Sequence, residues 1–314
     1  MRVFDAAATR EALPFDTLIP ALRAMFVTGC VVPPRHVHEV VATNGERITS
    51  LIMPAWVEGR YYGVKIINIA PGNAARGLPG LHASYLLHDA TSGVPLALID
   101  GNELTARRTA AASALAASWL ARRDARHLLV VGAGRVARLL PDAYRAVRGI
   151  DRVSIWTRSA PQAESFADEL RGRGIAAMAV PDLEAATGDA DIVSCATLAT
   201  TPLIHGRWLR RGSHLDLIGS FAPSMREADD DCFVDAALYV DTEEALHKSG
   251  ELLEPMKRGV FAPADVRGTL TTLARGEAAG RRTAGERTVF KAVGMALEDL
   301  AAATLVFERS QQAA

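Results

Sequence analysis

The residues that could do chemistry fall into three groups. The first is VVGAGRVA at 130–137. It follows a short apolar run and precedes a helix-like pattern, the setting in which a glycine-rich turn binds a dinucleotide. Gly132 allows the tight turn, Gly134 lets the backbone approach a pyrophosphate, and Ala137 is small enough for close helix–sheet packing. Ala133 lies between the glycines, and the N–H groups around Arg135 and Val136 face phosphate oxygens. The second group is cationic. Lys65 lies among apolar residues in YYGVKIINIA, so it must turn to solvent or meet an anion. Arg108 lies near the start of an Ala-rich helix pattern, where a cation opposes the helix dipole unless a local anion compensates it. Arg35 follows Pro33 and Pro34 at the start of a strand pattern. Taken singly, each cation reads as a solvated surface charge. The third group is acidic: Glu227, Asp229, Asp230 and Asp231 in LIGSFAPSMREADDD, 217–231. Acids after Pro223 suit the start of a short helix, whose dipole and free N–H groups they complement. A reach by Glu227 or Asp229 toward a substrate is the alternative.

The end of the next strand pattern, RVSIWTR, selects the cofactor. NAD sites place an Asp or Glu there for the ribose hydroxyls. Here Trp156, Thr157, Arg158 and Ser159 supply no carboxylate. Arg158 can pair with a 2′-phosphate, with Thr157 and Ser159 hydrogen-bonding it, which favours NADPH. An Arg158 that only stacks on adenine would leave NADH usable.

The elements that position these residues can be read from periodicity. The chain has 314 residues, 49% hydrophobic, enough for one large or two medium domains. Strand patterns fill the first hundred residues, PGNAARGLPG reads as a loop, and residues 103–123 read as a helix capped by Thr105 or Asn102. From Arg126 onward short apolar runs alternate with helix patterns, which implies βαβ crossovers and a doubly wound sheet. The expected fold is α/β: a Rossmann doubly wound domain at 119–287, and a smaller α+β substrate-binding and dimerisation domain at 1–118. A long C-terminal helix, 288–314, returns to complete the smaller domain. The formal net charge of −1 gives no electrostatic case for nucleic acid or an anionic membrane. No apolar run approaches the roughly 20 residues that span a bilayer. Without a secretory h-region, and with Cys30, Cys195 and Cys232 too widely spaced for a metal or redox motif, a cytoplasmic enzyme with reduced thiols and no metal is expected.

Several of these segments together resemble the ornithine cyclodeaminase/mu-crystallin family. The resemblance runs through MPA at 53–55, Lys65, GLPG at 77–80, TSGVPLALIDGNELTARRTAAASALAA and GAGRVA. It continues through GSFAPSMREADDD, YVDT at 239–242 and FKAVGMALEDLAAA. It implies a Rossmann domain plus a smaller domain that binds substrate and pairs subunits, hence a homodimer. It also implies that Arg35, Lys65 and Arg108 surround the carboxylate of an amino or cyclic imino acid, consistent with the strength of charge-assisted hydrogen bonds to a small anion. Cyclodeaminases of the family carry an Asp at the position of Phe221, which handles protons while ammonia leaves. A phenyl ring can neither accept nor deliver a proton. GSFAPSMRE therefore resembles the ketimine-reductase branch, which includes bacterial Δ1-pyrroline-2-carboxylate reductases.

The expectation that follows is reduction of a cyclic imino acid by NADPH, or NADH, to the L-amino acid. Δ1-Pyrroline-2-carboxylate would give L-proline, and Δ1-piperideine-2-carboxylate L-pipecolate. Arg35, Lys65 and Arg108 hold the carboxylate, and Lys65 is alternatively the proton donor. Thr197 lies near the cofactor, with Ser220 and Phe221 walling the nicotinamide. The alternatives are ornithine cyclodeamination with bound NAD⁺, alanine dehydrogenation, and a non-catalytic NADPH-dependent binding protein.

Overall fold

The computed structural model describes residues 1–312 and divides into two compact units, Met1–Arg108 with the segment from Met295 onward, and Thr109–Gly294.

The first unit is built on a six-stranded sheet of β1 (Arg2–Phe4), β2 (His36–Val41), β3 (Arg47–Val57), β4 (Tyr61–Ile69), β5 (Leu81–Asp89) and β6 (Pro95–Asp100). Its order is β1-β6-β5-β4-β3-β2, antiparallel except for the parallel β1–β6 pair. Lys65 pairs with Met53 on one side and Tyr85 on the other. The helix Ala296–Gln312 packs on β3, β4 and β5 and against the helix Phe15–Thr28.

The second unit holds a wholly parallel sheet of β7 (His127–Val131), β8 (Arg152–Trp156), β9 (Ala177–Ala179), β10 (Ile192–Cys195), β11 (His214–Leu217), β12 (Ala236–Val240), β13 (Val266–Thr269) and β14 (Arg287–Lys291). The order is β13-β12-β14-β11-β10-β7-β8-β9. The strands read as nearly continuous buried apolar runs because helices cover both faces of such sheets. The doubly wound fold is as expected.

The C-terminal helix needs correction. Residues 287–291 are not helical. They form β14, fully inserted between β11 and β12, and the helix begins only at Ala296. Thr288, Val289 and Phe290 are β-branched or aromatic and suit a buried strand, and Gly294, at φ +75°, separates strand from helix. The last two residues of the expected span lie outside the described residues. Two smaller corrections follow from hydrogen bonding. The helix Gly101–Leu120 is capped by Asp100, which accepts from the Glu103 N–H at 2.7 Å, while Asn102 accepts from Ala83 N on β5. The helix pattern after Val136 divides into a 3₁₀ turn, Ala137–Leu139, and a helix, Leu140–Arg145, with Pro141 in its first turn.

Candidate active site

The dinucleotide turn stands where the strand order reverses, with β8 and β9 on one side of β7 and β10 and β11 on the other. Ligands of doubly wound sheets bind outside the carboxyl ends of the strands at this point. Gly132 follows β7 directly, has φ +118°, and donates its N–H to the Trp156 carbonyl at 2.8 Å. A Cβ there would lie 2.8 Å from the Ala196 carbonyl oxygen, so this turn is pressed against the loop after β10. Gly134 is different. It is exposed, and a Cβ on it would meet nothing within 4 Å. That open side is what a pyrophosphate needs to reach the backbone, and the turn fits a dinucleotide. Ala133, Arg135 and Val136 are partly or fully accessible around it. Thr157, Arg158 and Ser159 follow the end of β8, with Arg158 exposed.

In the first unit Lys65 and Arg108 meet through acids that were not singled out in the sequence. Lys65 is completely buried, its Nζ 2.5 Å from Asp299 Oδ2. That contact lacks hydrogen-bond geometry, and no other partner among the described residues takes an Nζ hydrogen. Arg108 donates from Nε to Asp299 Oδ1 at 2.8 Å and from Nη1 to Glu298 Oε2 at 2.6 Å. Burial pulls the Lys65 ammonium down to about 8, with Asp299 opposing the fall and Arg108 adding to it. Burial pushes Asp299 up, but Lys65 and Arg108 outweigh it and hold the carboxyl below its ordinary value. Arg35 precedes β2, where His36 pairs with Ile52. Continuing that register sets Arg35 opposite Met53, in the same row as Lys65 and two strands away, about 10 Å.

In the second unit Thr197 follows β10, and Ser220 and Phe221 follow β11. Ser220 is buried. Its hydroxyl donates to Glu251 at 2.9 Å and accepts from Lys291 at 2.8 Å. Phe221 is 40% exposed. The helix-start reading of the acids is corrected for Glu227, which is fully buried and lies ahead of the short 3₁₀ turn Asp230–Cys232. Its carboxylate accepts hydrogen bonds from Thr197 and Gly219. Asp229 accepts from Gly206 N at 2.9 Å and bonds His205, and Asp230 pairs with Arg226 and Arg258.

The profile of the ornithine cyclodeaminase/mu-crystallin family matches residues 8–314. This chain belongs to that family. Among its relatives, the Δ1-pyrroline-2-carboxylate reductase of Paracoccus denitrificans is 46% identical over 82% of each chain. The structure of the Thermococcus litoralis Δ1-pyrroline-2-carboxylate reductase in complex with NADH and L-proline superposes with a TM-score of 0.92, at 32% identity, over 99% of this chain and 98% of that one. An archaeal alanine dehydrogenase dimer with bound NAD also gives 0.92, at 28% identity, over 99% and 96%. The family motif GMALED carries Glu298 and Asp299. Two adjacent acids in an Ala- and Leu-rich helix were the available signal for the partners of Lys65 and Arg108. The segment GSFAPSMRE puts Phe221 where the resemblance places the cyclodeaminase Asp.

Proposed function

We propose that this chain reduces a cyclic imino acid, Δ1-pyrroline-2-carboxylate or its six-membered homologue, to the L-amino acid, using NADPH in preference to NADH. The observation that carries this reading is the buried ammonium of Lys65, which has donors to spare beside Arg108. A fully buried lysine is costly unless paired, and a small carboxylate supplies the remaining partner. Arg108 orients the same carboxylate from its guanidinium fork, with Arg35 approaching along the Lys65 row. A bound dihydronicotinamide supplies the hydride. The protein holds the imine carbon in place, and positioning of this kind carries much of a barrier reduction. Below its pKa Lys65 also carries a proton that it could give to the imine nitrogen. Phe221 offers a neutral wall, whereas deamination would call for a carboxylate there. Arg158, with Thr157 and Ser159, supports recognition of a 2′-phosphate.

The exposed edge strand β2 supports a homodimer. Val37, Val40 and Val41 are 60%, 51% and 61% exposed, on a strand paired on one side only, and uncovered apolar edges invite pairing. Light scattering at micromolar concentration is expected to give twice the chain mass. No helix among the described residues is long and apolar enough to cross a membrane. The three free cysteines suit a reducing, cytoplasmic setting.

The test is loss of NADPH absorbance with Δ1-pyrroline-2-carboxylate, run beside NADH, beside NAD⁺ with L-ornithine, and beside pyruvate with ammonia. Proline formation at the rate of NADPH loss is the expected result. Ammonia release from ornithine without imine reduction would overturn the proposal.

A further inference from the structure

Glu227 takes no part in the reaction as described above. Its Oε1 accepts hydrogen bonds from Thr197 N at 2.7 Å and Thr197 Oγ1 at 2.8 Å, and its Oε2 accepts from Gly219 N at 2.8 Å. One carboxylate thereby ties the loop after β10 to the loop after β11. The approach is close: a Cβ on Gly219 would lie 2.1 Å from the Thr197 carbonyl oxygen. Glu227 is itself anchored, since its own N–H and that of Ala228 donate to Glu251, each at 2.8 Å. Glu251 accepts from Ser220, and Lys291 donates to Ser220 and to the Leu217 carbonyl at 2.8 and 2.9 Å.

We propose that Glu227 is a positioning residue for hydride transfer: by bridging Thr197 and Gly219 it sets the height of the two loops against which the nicotinamide end of the dinucleotide rests. This rests on the reading of the Gly132 turn as a dinucleotide site. That turn and residues 157–159 serve the pyrophosphate and adenosine, which leaves the loops after β10 and β11, beyond the reversal point, for the other end. Each oxygen of Glu227 accepts a backbone N–H, so the bridge requires two acceptors. Glutamine has the same shape but must aim its NH₂ group at one of the two N–H donors. One hydrogen bond becomes a donor–donor contact, and one loop is displaced. A shift of about 1 Å at a positioning group can slow a reaction about 10²-fold.

The test is Glu227→Gln, comparing NADPH affinity by quenching of tryptophan fluorescence with single-turnover hydride transfer from NADPH deuterated at C4. The expected result is a Kd within about threefold of wild type, hydride transfer slowed about 10²-fold, and a larger deuterium isotope effect on kcat. Unchanged hydride transfer would overturn the proposal. So would a parallel loss of affinity, rate and thermal midpoint, which would make Glu227 a stability residue alone. If Glu227→Gln does not fold, Thr197→Val removes the hydroxyl donor and keeps the N–H. It should show the same split at about tenfold, and an unchanged rate there would overturn the proposal. Wild-type protein that fails to bind NADPH would instead sink the dinucleotide reading beneath it.

Discussion

In the first unit Lys65 and Arg108 face Glu298 and Asp299, two buried cations against two buried acids. In the second, the buried Lys291 stands among Glu251, Glu227, Asp241 and Asp216, one cation against four acids. The first cluster is neutral before any ligand arrives and has unspent donors on Lys65, so an incoming carboxylate can be accommodated by redistributing partners. The second carries excess acid. Burial pushes Glu227 up to about 8 and Asp216 up to about 6, and raises Asp241 as well. Its oxygens are occupied by Thr197, Gly219, Ser194, Tyr144, Val293 and Gly294. One arrangement suits a site whose charges a ligand disturbs. The other suits a frame whose hydrogen bonds hold loops still.

The comparison breaks first at Lys65 and Arg108. Lys65→Met or Arg108→Met is expected to lower kcat/KM for the imino acid about 10- to 10²-fold, since a hydrogen bond to a charged group is worth about 1.5–3 kcal/mol. NADPH affinity, measured by fluorescence, should not move. If both variants lost cofactor binding instead, the division of labour between the units would be wrong.

Next is Asp299→Ala, which leaves Lys65 buried without its counter-ion. We expect a loss of about 3–5 kcal/mol in urea unfolding. A change within 0.5 kcal/mol, the range of an ordinary surface substitution, would show that Lys65 is not held by Asp299.

The two clusters should also set opposite limbs of the pH profile. Lys65, drawn down to about 8, keeps its ammonium below that pH and loses it above, so carboxylate binding weakens as pH rises through about 8. Glu227, pushed up to about 8, is a two-oxygen acceptor only above that pH, so hydride transfer weakens as pH falls. A bell-shaped kcat/KM with its maximum near pH 8 is expected. Glu227→Gln should flatten the acid limb and leave the alkaline one.

The smallest effect is expected at Arg158. Arg158→Ala should cut the preference for NADPH over NADH about tenfold through the lost charge-assisted hydrogen bond. Equal losses with both cofactors would mean that the side chain only packs on adenine.

Much of this was legible in the sequence because it is local. The strands around Lys65, the glycine turn after β7 and the carboxylate-free end of β8 are each written in a few adjacent residues. What was missed depends on distant partners. Asp299 lies at the far end of the chain from Lys65, and the role of Glu227 requires knowing that the loops after β10 and β11 are neighbours. The strand β14 was read as helix because a short apolar run has no periodicity of its own to decide between the two. Asp100 was passed over as a cap because Asn102 and Thr105 compete for the same sequence signal.

Arg35 is mounted differently from the other two cations. Lys65 and Arg108 are buried, whereas Arg35 leads into an edge strand whose six residues are all exposed. Substitutions along β2 can therefore turn or shift Arg35 without disturbing the interior. For anyone seeking to widen the range of acids this protein accepts, that edge is a place to build a library, with the oligomeric state followed alongside because the same edge is the one proposed to pair subunits.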